Sequence, residues 1–226
     1  EREREIIAFN STPFYRIQGV FHPQTSKKSV KVKAFLEEKF STREQAYSFL
    51  ENCKESSFAI EEIETKDLVR TPAPPFTTSA LQQEAARKLG LSVTQTMRIA
   101  QKLYESGLIT YMRTDDTSFA AEFLPILKSY IESAYGKSAY TKPRVGKKQE
   151  NGQEGHECLR VTDPTITPDI YNNVDANSLN QRVYRLIWQR TVAAAMPNAK
   201  ISETQYLINN NDEKFILVSN EVTKLG

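Results

Sequence analysis

Apolar and polar residues alternate near both ends of the chain, a pattern that is typical of half-buried β-strands. The alternation runs through FYRIQGVFHP, SVKVKAF and SSFAIEEIET in the first third of the sequence. It returns in SETQYLI and EKFILVS near the other end, where NNND joins the two stretches. These patterns predict three strands before the middle of the chain and a β-hairpin after it.

The middle of the chain instead spaces its apolar residues three and four apart, which predicts amphipathic helices. A Ser-x-x-Gln capping signal opens each of two successive helices, 79–89 and 92–106. Gly90 and Gly107 follow these helices as terminators. The β-like stretch LITYMR comes next, so the region has the outline of a helix-turn-helix followed by a strand.

Further helices are predicted at the start of the chain and on both sides of this region. A Ser-x-x-Glu capping pattern at Ser41 and Glu44 predicts a helix that runs through Leu50. Pro125 must fall in the first turns of another helix or kink it, because proline disrupts a helix interior. The remaining helical patterns are EREREIIAF, FAAEFLPILKSYIESAYG and residues 179–196.

A proline-rich segment, RTPAPPF at residues 70–76, fits neither a helix nor a strand and predicts a linker. We therefore predict an α+β multidomain fold. In it a helical domain with a helix-turn-helix, residues 72–195, is inserted into a discontinuous β-rich domain. Residues 13–71 and 196–226 would form that β-rich domain, and residues 1–12 would end a preceding helical domain.

The composition is ordinary for a globular protein, with 39% hydrophobic and 26% charged residues among 226. No apolar run reaches the roughly 18 residues that a transmembrane helix needs, so no membrane partner is predicted. The two cysteines, Cys53 and Cys158, argue against a disulfide framework and favour a reducing, cytoplasmic setting. The chain starts without Met, which suggests a piece of a longer protein.

The net charge of +2 permits a nucleic-acid partner without requiring one. The charge is unevenly distributed, however, because residues 81–113 hold five basic side chains against two acidic ones. A nucleic-acid surface and an ordinary solvated helical face both fit this distribution. The five basic residues are Arg87, Lys88, Arg98, Lys102 and Arg113.

Tyr111 is the first candidate for chemistry. A phenol with an unperturbed pKa of about 10 is a poor nucleophile unless its phenolate is stabilised. Arg113 lies on the same face of the predicted strand, where its guanidinium could stabilise a phenolate and bind a phosphate in bidentate fashion. The alternative is a packed tyrosine beside a surface arginine, which is common in strands.

Other polar residues near this stretch suggest weaker sites. Asp115 and Asp116 point in different directions, so capping of the next helix is favoured over metal binding. A zinc site is excluded because Cys158 is the only nearby thiol, and no metal ligands are predicted. His156 and Arg160 lie four residues apart on one face of a predicted helix. They could contact a phosphate, or they could simply face solvent.

The stretch GLITYMRTDDTS resembles the active-site signature of the type IA DNA topoisomerases, whose usual form is G-L-I-T-Y-M-R-T-D-S. APPFTTSALQQEAARKLG and MRIAQKLYESG resemble the segment before that signature. Downstream, QEGHECLRVTD resembles the family's Q-E-A-H-E-A-I-R-P-T-D. EREREIIAF and RLIWQR have counterparts in the same order, so the resemblance spans nearly the whole chain.

This resemblance implies that Tyr111 attacks a phosphodiester of single-stranded DNA and forms a covalent 5′-phosphotyrosine. A second strand then passes through the break, and the freed 3′-hydroxyl reverses the attack without ATP, which relaxes negatively supercoiled DNA. Arg113 would stabilise the charge that develops at the reacting phosphate. By the same resemblance, the DNA-binding residues would be Thr110, Arg113, His156, Arg160, Gln101 and Tyr104.

Several features depart from the family pattern, and two of them bear on the chemistry. Asp116 stands where the family usually has Ser, which adds a negative charge near a phosphate-binding site. The family's Mg²⁺-binding Toprim domain, with its D-x-D-x-E cluster, precedes the region where this chain begins. We therefore expect Mg²⁺ in the full-length enzyme but none in this fragment, which should be inactive by itself.

The expected protein is a monomeric, cytoplasmic, nucleoid-associated bacterial enzyme in which the β-rich domain serves as a gate arch. One alternative is a structural hinge whose DNA contacts all come from other domains. The other alternative is a non-catalytic winged-helix-like DNA-binding module, with Tyr111 as an ordinary strand residue. The DNA-binding module predicts sequence-specific binding of duplex DNA. A topoisomerase instead predicts a salt-dependent preference for single strands.

Overall fold

The computed structural model describes residues 1–23, 30–54, 56–145, 157–171, 179–210 and 213–225. The helices are α1 (Arg2–Ala8), α2 (Arg43–Cys53), α3 (Thr78–Leu89), α4 (Val93–Glu105), α5 (Phe123–Tyr135) and α6 (Leu179–Ala193). The strands are β1 (Tyr15–Phe21), β2 (Val32–Phe40), β3 (Ala59–Arg70), β4 (Ala199–Asn210) and β5 (Glu213–Lys224).

The chain separates into two compact units. Unit 1 comprises Glu1–Leu68 and Ile201–Thr223, and unit 2 comprises Val69–Lys200 and Lys224–Gly226. The predicted domain boundaries after residues 71 and 195 stay a prediction.

Unit 1 is built on a five-stranded sheet in the order β1-β2-β5-β4-β3. Helix α2 packs on β1 and β2, where Phe49 joins Ile17 and Leu36 in a buried core. Phe215 of β5 extends this core by packing edge to face on Phe21. The strands predicted from the alternation are confirmed, and β4 and β5 are neighbours as the predicted hairpin requires.

Strand β3 forms an edge of this sheet and is longer than the alternation predicts. All of its residues are exposed, so the alternation in SSFAIEEIET marks no buried face within unit 1. The charged start of the chain forms α1, as predicted, and none of the residues of α1 is buried.

Unit 2 has two hydrophobic clusters that position its helices. In the larger one, Leu81 of α3, Leu103 of α4 and Ile187 of α6 are almost completely buried. The smaller cluster joins Leu127 of α5 to residues at the end of α6 and beyond. Pro125 occupies the first turn of α5, as predicted. None of the described helices is long and apolar enough to cross a bilayer.

The caps of the two helices before Tyr111 confirm one prediction and correct another. Ser92 Oγ accepts the N–H of Gln95 at 3.2 Å, and Gln95 Oε1 accepts the N–H of Ser92 at 3.0 Å, so the capping box of α4 is confirmed. The N-cap of α3 is Thr77 rather than Ser79, because Thr77 has extended backbone angles and Ser79 already lies inside the helix.

Helix α2 begins one residue later than predicted. Thr42 caps it in a box with Gln45, in place of the predicted pair Ser41 and Glu44. Thr42 has extended backbone angles, whereas Ser41 Oγ donates a hydrogen bond to Gln45 Oε1 at 3.0 Å. Ser41 and Thr42 carry similar hydroxyls, so side-chain chemistry does not distinguish them as caps. The extended backbone conformation of Thr42 makes it the N-cap.

Gly90 ends α3 in the left-handed region, with a φ of 68°. An added Cβ would meet no atom within 4 Å, so the cost of a side chain is backbone strain alone. We expect Gly90→Ala to lower the free energy of unfolding by about 1 kcal/mol, measured by urea denaturation. Gly90→Asn should lose less, because asparagine tolerates this conformation. An equal loss for both variants would contradict the explanation.

The stretch LITYMR is not a strand, contrary to the prediction. Among the described residues, its β-type pairing is limited to one isolated bridge, between Ile109 and Val161. Ile109 and Met112 are both buried, although they are an odd number of residues apart. A regular strand would send them to opposite faces, so the chain departs from strand geometry between them.

The segment that carries Arg160 is also irregular. The prediction of a helix over this segment is wrong, because Leu159 forms an isolated bridge with Phe76 and Val161 forms the bridge with Ile109. A chain that bridges two other segments in succession is extended. His156, the predicted neighbour of Arg160 on a helical face, lies outside the described residues.

Asp115 and Asp116 do not cap α5, contrary to the prediction. The N-cap of α5 is Glu122, which makes no side-chain capping bond. Asp116 Oδ1 instead accepts the N–H of Ser118 at 2.7 Å and closes a local turn. Asp115 is exposed. The Asp116 carboxylate is therefore hydrogen-bonded in a turn that precedes α5.

Candidate active site around Tyr111

Tyr111 lies between two buried residues. Ile109 and Met112 are each 2% exposed, whereas Tyr111 is 49% exposed. Beyond Met112 the pattern alternates, since Thr114 is buried and Arg113 is exposed. The segment is therefore held in unit 2 by its inward side chains, and it presents the phenol and the guanidinium to solvent.

Thr110 fixes the backbone just before the tyrosine. Its Oγ1 donates to the carbonyl of Cys158 at 2.8 Å and accepts the N–H of Arg160 at 3.0 Å. The backbone N–H of Thr110 donates to the carbonyl of Arg160 at 2.9 Å. The sequence predicts that Thr110 binds DNA, and in the structure its hydroxyl serves as both donor and acceptor to the backbone of residues 158–160.

Helix α4 brings a second tyrosine to Tyr111. The rings of Tyr104 and Tyr111 meet edge to face, with centroids 5.3 Å apart and planes inclined by 66°. Tyr104 is 40% exposed, so both rings are open to solvent. Gln101 donates its side-chain amide to Glu105 at 2.7 Å on the same helix. Of the two α4 residues predicted to bind DNA, Tyr104 contacts the ring of Tyr111, and Gln101 is hydrogen-bonded within its own helix.

The five basic residues of the region 81–113, which fit either a nucleic-acid surface or a solvated helical face, fall into two groups. Arg87 donates to Gln83, and Lys88 pairs with Glu84 at 2.6 Å. The hydrogen bond from Lys88 holds the pKa of the Glu84 carboxyl below its usual value. The other three are exposed and form no ion pair with any described residue: Arg98, Lys102 and Arg113. These three remain available to an anionic partner.

Arg160 lies in the segment whose backbone is hydrogen-bonded to Thr110. Its Nε and one terminal nitrogen donate to the Glu157 carboxylate at 2.7 and 3.2 Å, and the other nitrogen donates to the carbonyl of Val161 at 3.0 Å. The guanidinium carbon is 3.8 Å from the centre of the Phe123 ring. The Arg160 side chain is 10% exposed, so its geometry favours a structural role. Its DNA contact stays a prediction.

Removal of Arg160 should destabilise the fold. We expect Arg160→Met to lower the free energy of unfolding by about 2 kcal/mol, because Glu157 would keep its charge without its partner. Denaturant titration of the chain, followed by circular dichroism, would measure the loss.

Arg185→Met is the matched control, since Arg185 pairs with Asp169 at an exposed site. That variant should change the free energy of unfolding by less than about 0.5 kcal/mol. If the two variants lost the same amount, the structural role of Arg160 would be refuted.

Cys158 is the other potentially nucleophilic side chain near this segment. It is fully buried, and burial raises the pKa of its thiol. Its backbone N–H donates to the carbonyl of Ser118 at 2.8 Å. The thiol is therefore neutral and packed, which argues against Cys158 as a nucleophile.

Sequence reasoning missed two threonines that shape the site. Thr78, at the start of α3, hydrogen-bonds to the backbone on both sides of Arg113. Thr114 Oγ1 donates to the carbonyl of Glu157 at 2.8 Å. These partners lie between 34 and 43 residues away along the chain, so no local pattern marks either threonine.

The described residues do not fit a magnesium site. Within the ranges that the structure describes, no three His, Cys, Asp or Glu side chains come together as a set of metal ligands. Asp116 is engaged by the N–H of Ser118, and adjacent Asp115 alone would be a poor site.

Comparison with known proteins gives consistent matches along the chain. A family profile described as DNA topoisomerase matches residues 1–226. The chain is 46% identical over 157 residues to "DNA topoisomerase 1 type prokaryotic" of Acanthamoeba polyphaga mimivirus, covering 70% of this chain and 18% of the relative. It is 36% identical over 239 residues to DNA topoisomerase 1 of Rickettsia felis, covering 99% of this chain and 31% of the relative.

A solved structure agrees with these matches. Full-length topoisomerase I from Thermotoga maritima superposes with a TM-score of 0.73 at 28% identity, over 99% of this chain and 36% of that one. This confirms the predicted α+β fold. The chain spans less than a third of the length of the two curated relatives that it matches.

Proposed function

The chain belongs to the type IA DNA topoisomerase family, and from that premise we propose that Tyr111 is the nucleophile of an enzyme that relaxes negatively supercoiled DNA. The observation that carries the proposal is the exposed phenol of Tyr111 between buried neighbours. A nucleophile held in this way loses little conformational freedom when a phosphodiester docks against it.

In the proposed reaction, the Tyr111 hydroxyl oxygen attacks a phosphorus atom of single-stranded DNA. The phenol gives up its proton, the 5′-phosphate becomes bonded to the tyrosine, and the 3′-oxygen leaves and takes up a proton. After a second strand passes through the break, the 3′-hydroxyl attacks the phosphotyrosine and restores the DNA and the phenol. One phosphoester is exchanged for another, so the reaction needs no ATP.

Arg113 supports this reaction by its position. It is exposed, lies two residues from Tyr111 and forms no ion pair with any described residue. A guanidinium can donate two parallel hydrogen bonds to phosphate oxygens and stabilise the charge in the transition state. The exposed ring of Tyr104 offers a stacking surface for a base beside the cleaved phosphate. The DNA contacts of Gln101, Thr110 and His156 stay predictions.

The remaining parts of the proposal concern the whole protein. Its partners would be single-stranded and negatively supercoiled DNA, and it would act as a monomer at the nucleoid in the bacterial cytoplasm. Mg²⁺ would be bound by another part of the full-length enzyme. The 226-residue chain alone should therefore not relax DNA.

The direct test is to trap and locate the covalent intermediate. The full-length enzyme with Mg²⁺ is incubated with a single-stranded oligonucleotide labelled at its 3′ end, because the 5′-phosphate side stays on the protein. Denaturing electrophoresis then detects the adduct, and proteolysis with mass spectrometry locates it. We expect the nucleotide on Tyr111. A nucleotide on another residue, or no adduct at all, would refute the proposal.

A further inference from the structure

Thr78 holds the backbone on both sides of Arg113. The Thr78 hydroxyl donates a hydrogen bond to the carbonyl of Met112 at 2.7 Å. The carbonyl of Thr114 is a second possible acceptor, 3.1 Å from the same oxygen. As acceptor, the same oxygen takes the N–H of Thr114 at 2.9 Å. The backbone N–H of Thr78 donates to the carbonyl of Thr114, also at 2.9 Å. Thr78 therefore fixes both peptide units that flank Arg113.

These bonds replace a missing sheet partner. Among the described residues, the Tyr111 segment makes one isolated bridge, at Ile109, so no described strand ladder satisfies the backbone groups further along. Buried backbone groups without a hydrogen bond are costly. Met112 is 2% exposed and Thr114 is 8% exposed, so solvent is a poor substitute for the Thr78 hydroxyl at these groups.

A second contact extends the same clamp. Thr114 Oγ1 donates to the carbonyl of Glu157 and accepts the N–H of Asp116. The Glu157 carboxylate in turn holds Arg160, whose backbone is bonded to Thr110. The segment from residue 110 to residue 114 is thus fixed at both ends, while Tyr111 and Arg113 project to solvent.

We propose that Thr78 is a positioning residue for the cleavage reaction, because its hydroxyl sets the spacing between the Tyr111 phenol and the Arg113 guanidinium. The inference rests on the proposed function. Thr78 touches neither side chain and acts through the peptide units of Met112 and Thr114. Displacement of a reacting group by about 1 Å can slow a reaction by about a hundredfold, so a lost hydroxyl should be visible in the chemical step.

The test compares Thr78→Val with Thr78→Ser in the full-length enzyme with Mg²⁺. Valine keeps the β-branched shape and loses the hydroxyl, whereas serine keeps the hydroxyl and loses a methyl group. Single-turnover formation of the adduct on a 3′-labelled oligonucleotide is measured with saturating enzyme. Oligonucleotide affinity is measured separately, with Tyr111→Phe also present so that no cleavage occurs.

We expect Thr78→Val to lower the cleavage rate constant 10- to 100-fold with affinity changed by less than about twofold. Thr78→Ser should stay within about threefold of the parent enzyme. A variant that merely folds poorly would lower the final amount of adduct and leave the rate constant unchanged. Thr204→Val is the control, since the hydroxyl of Thr204 shares one 3.3 Å hydrogen bond with Thr65 in unit 1; its rate constant should be unchanged.

The outcomes separate this inference from the proposed function. If the parent enzyme forms no adduct at Tyr111, the proposed function fails. If the adduct forms at Tyr111 but Thr78→Val cleaves at the parent rate, only the positioning role is refuted. The same holds if Thr78→Ser is as slow as Thr78→Val, or if Thr78→Val lowers affinity alone.

Discussion

Tyr111→Phe should reduce formation of the covalent DNA adduct on the order of 10⁴-fold or more, to below detection, because the only atom removed is the proposed attacking oxygen. The ring of Phe at this position would keep its edge-to-face contact with Tyr104. The fold should be preserved, since no described residue is hydrogen-bonded to the half-exposed hydroxyl of Tyr111. Adduct formation on a denaturing gel and thermal unfolding would be measured on the same full-length preparations.

Tyr104→Phe is the matched control for this experiment. Tyr104 and Tyr111 have similar exposure and share one ring contact, so the two substitutions remove chemically equivalent hydroxyls from neighbouring rings. The control should keep cleavage within about tenfold of the parent enzyme, since a stacking ring retains its face without the hydroxyl. If both variants cleave normally, Tyr111 is a packing residue. A non-catalytic DNA-binding module would then be the better interpretation.

The features that the sequence predicted correctly are local ones. The capping box of Ser92 and Gln95, the glycine terminator at Gly90 and the helical spacing of α4 each involve residues within one or two turns of each other. Their geometry is set by backbone sterics and short-range hydrogen bonds, which a sequence displays directly. The hairpin of β4 and β5 is predictable for the same reason.

The features that the sequence predicted wrongly or did not reveal depend on partners that are distant along the chain. LITYMR has the composition of a strand, yet it is held by single bridges and threonine hydroxyls instead of a neighbouring strand. The segment that carries Arg160 is predicted to be helical, yet Leu159 and Val161 form bridges with Phe76 and Ile109, which are distant along the chain. Local periodicity carries no record of such contacts, which arise only when the helices of unit 2 pack.

The same distinction between local and distant contacts applies to the residues of the site. By residue type alone Tyr111 and Arg113 are only candidates, and it is the resemblance of the surrounding motif to a known family that singles them out. Thr78 and Thr114 carry common side chains whose importance comes from the carbonyl and N–H groups that they reach. A clamp of this kind leaves the two proposed reactive side chains exposed while their backbone is fixed, which is the arrangement that the proposed catalysis would require.

Arg113→Ala should slow adduct formation about 10²- to 10³-fold at saturating oligonucleotide, because a donor aimed at the transition-state charge would be lost. Arg113→Lys should recover part of this loss, since lysine keeps the charge but cannot bind two phosphate oxygens in parallel. The rate constant for single-turnover cleavage and the salt dependence of binding would both be measured in the full-length enzyme.

Arg98→Ala is the control that distinguishes a catalytic role of an arginine from a purely electrostatic contribution to DNA binding. Arg98 is also exposed and forms no ion pair with any described residue, but it lies on α4 and not beside Tyr111 in the sequence. Its loss should weaken binding and reduce the slope of log affinity against log salt by about 1, with the saturated cleavage rate nearly unchanged. A transition-state role predicts the opposite division for Arg113, namely a large loss in rate and a small one in affinity. If Arg113→Ala instead behaved like Arg98→Ala, Arg113 would be one phosphate contact among several, and Tyr111 would need another source of transition-state stabilisation.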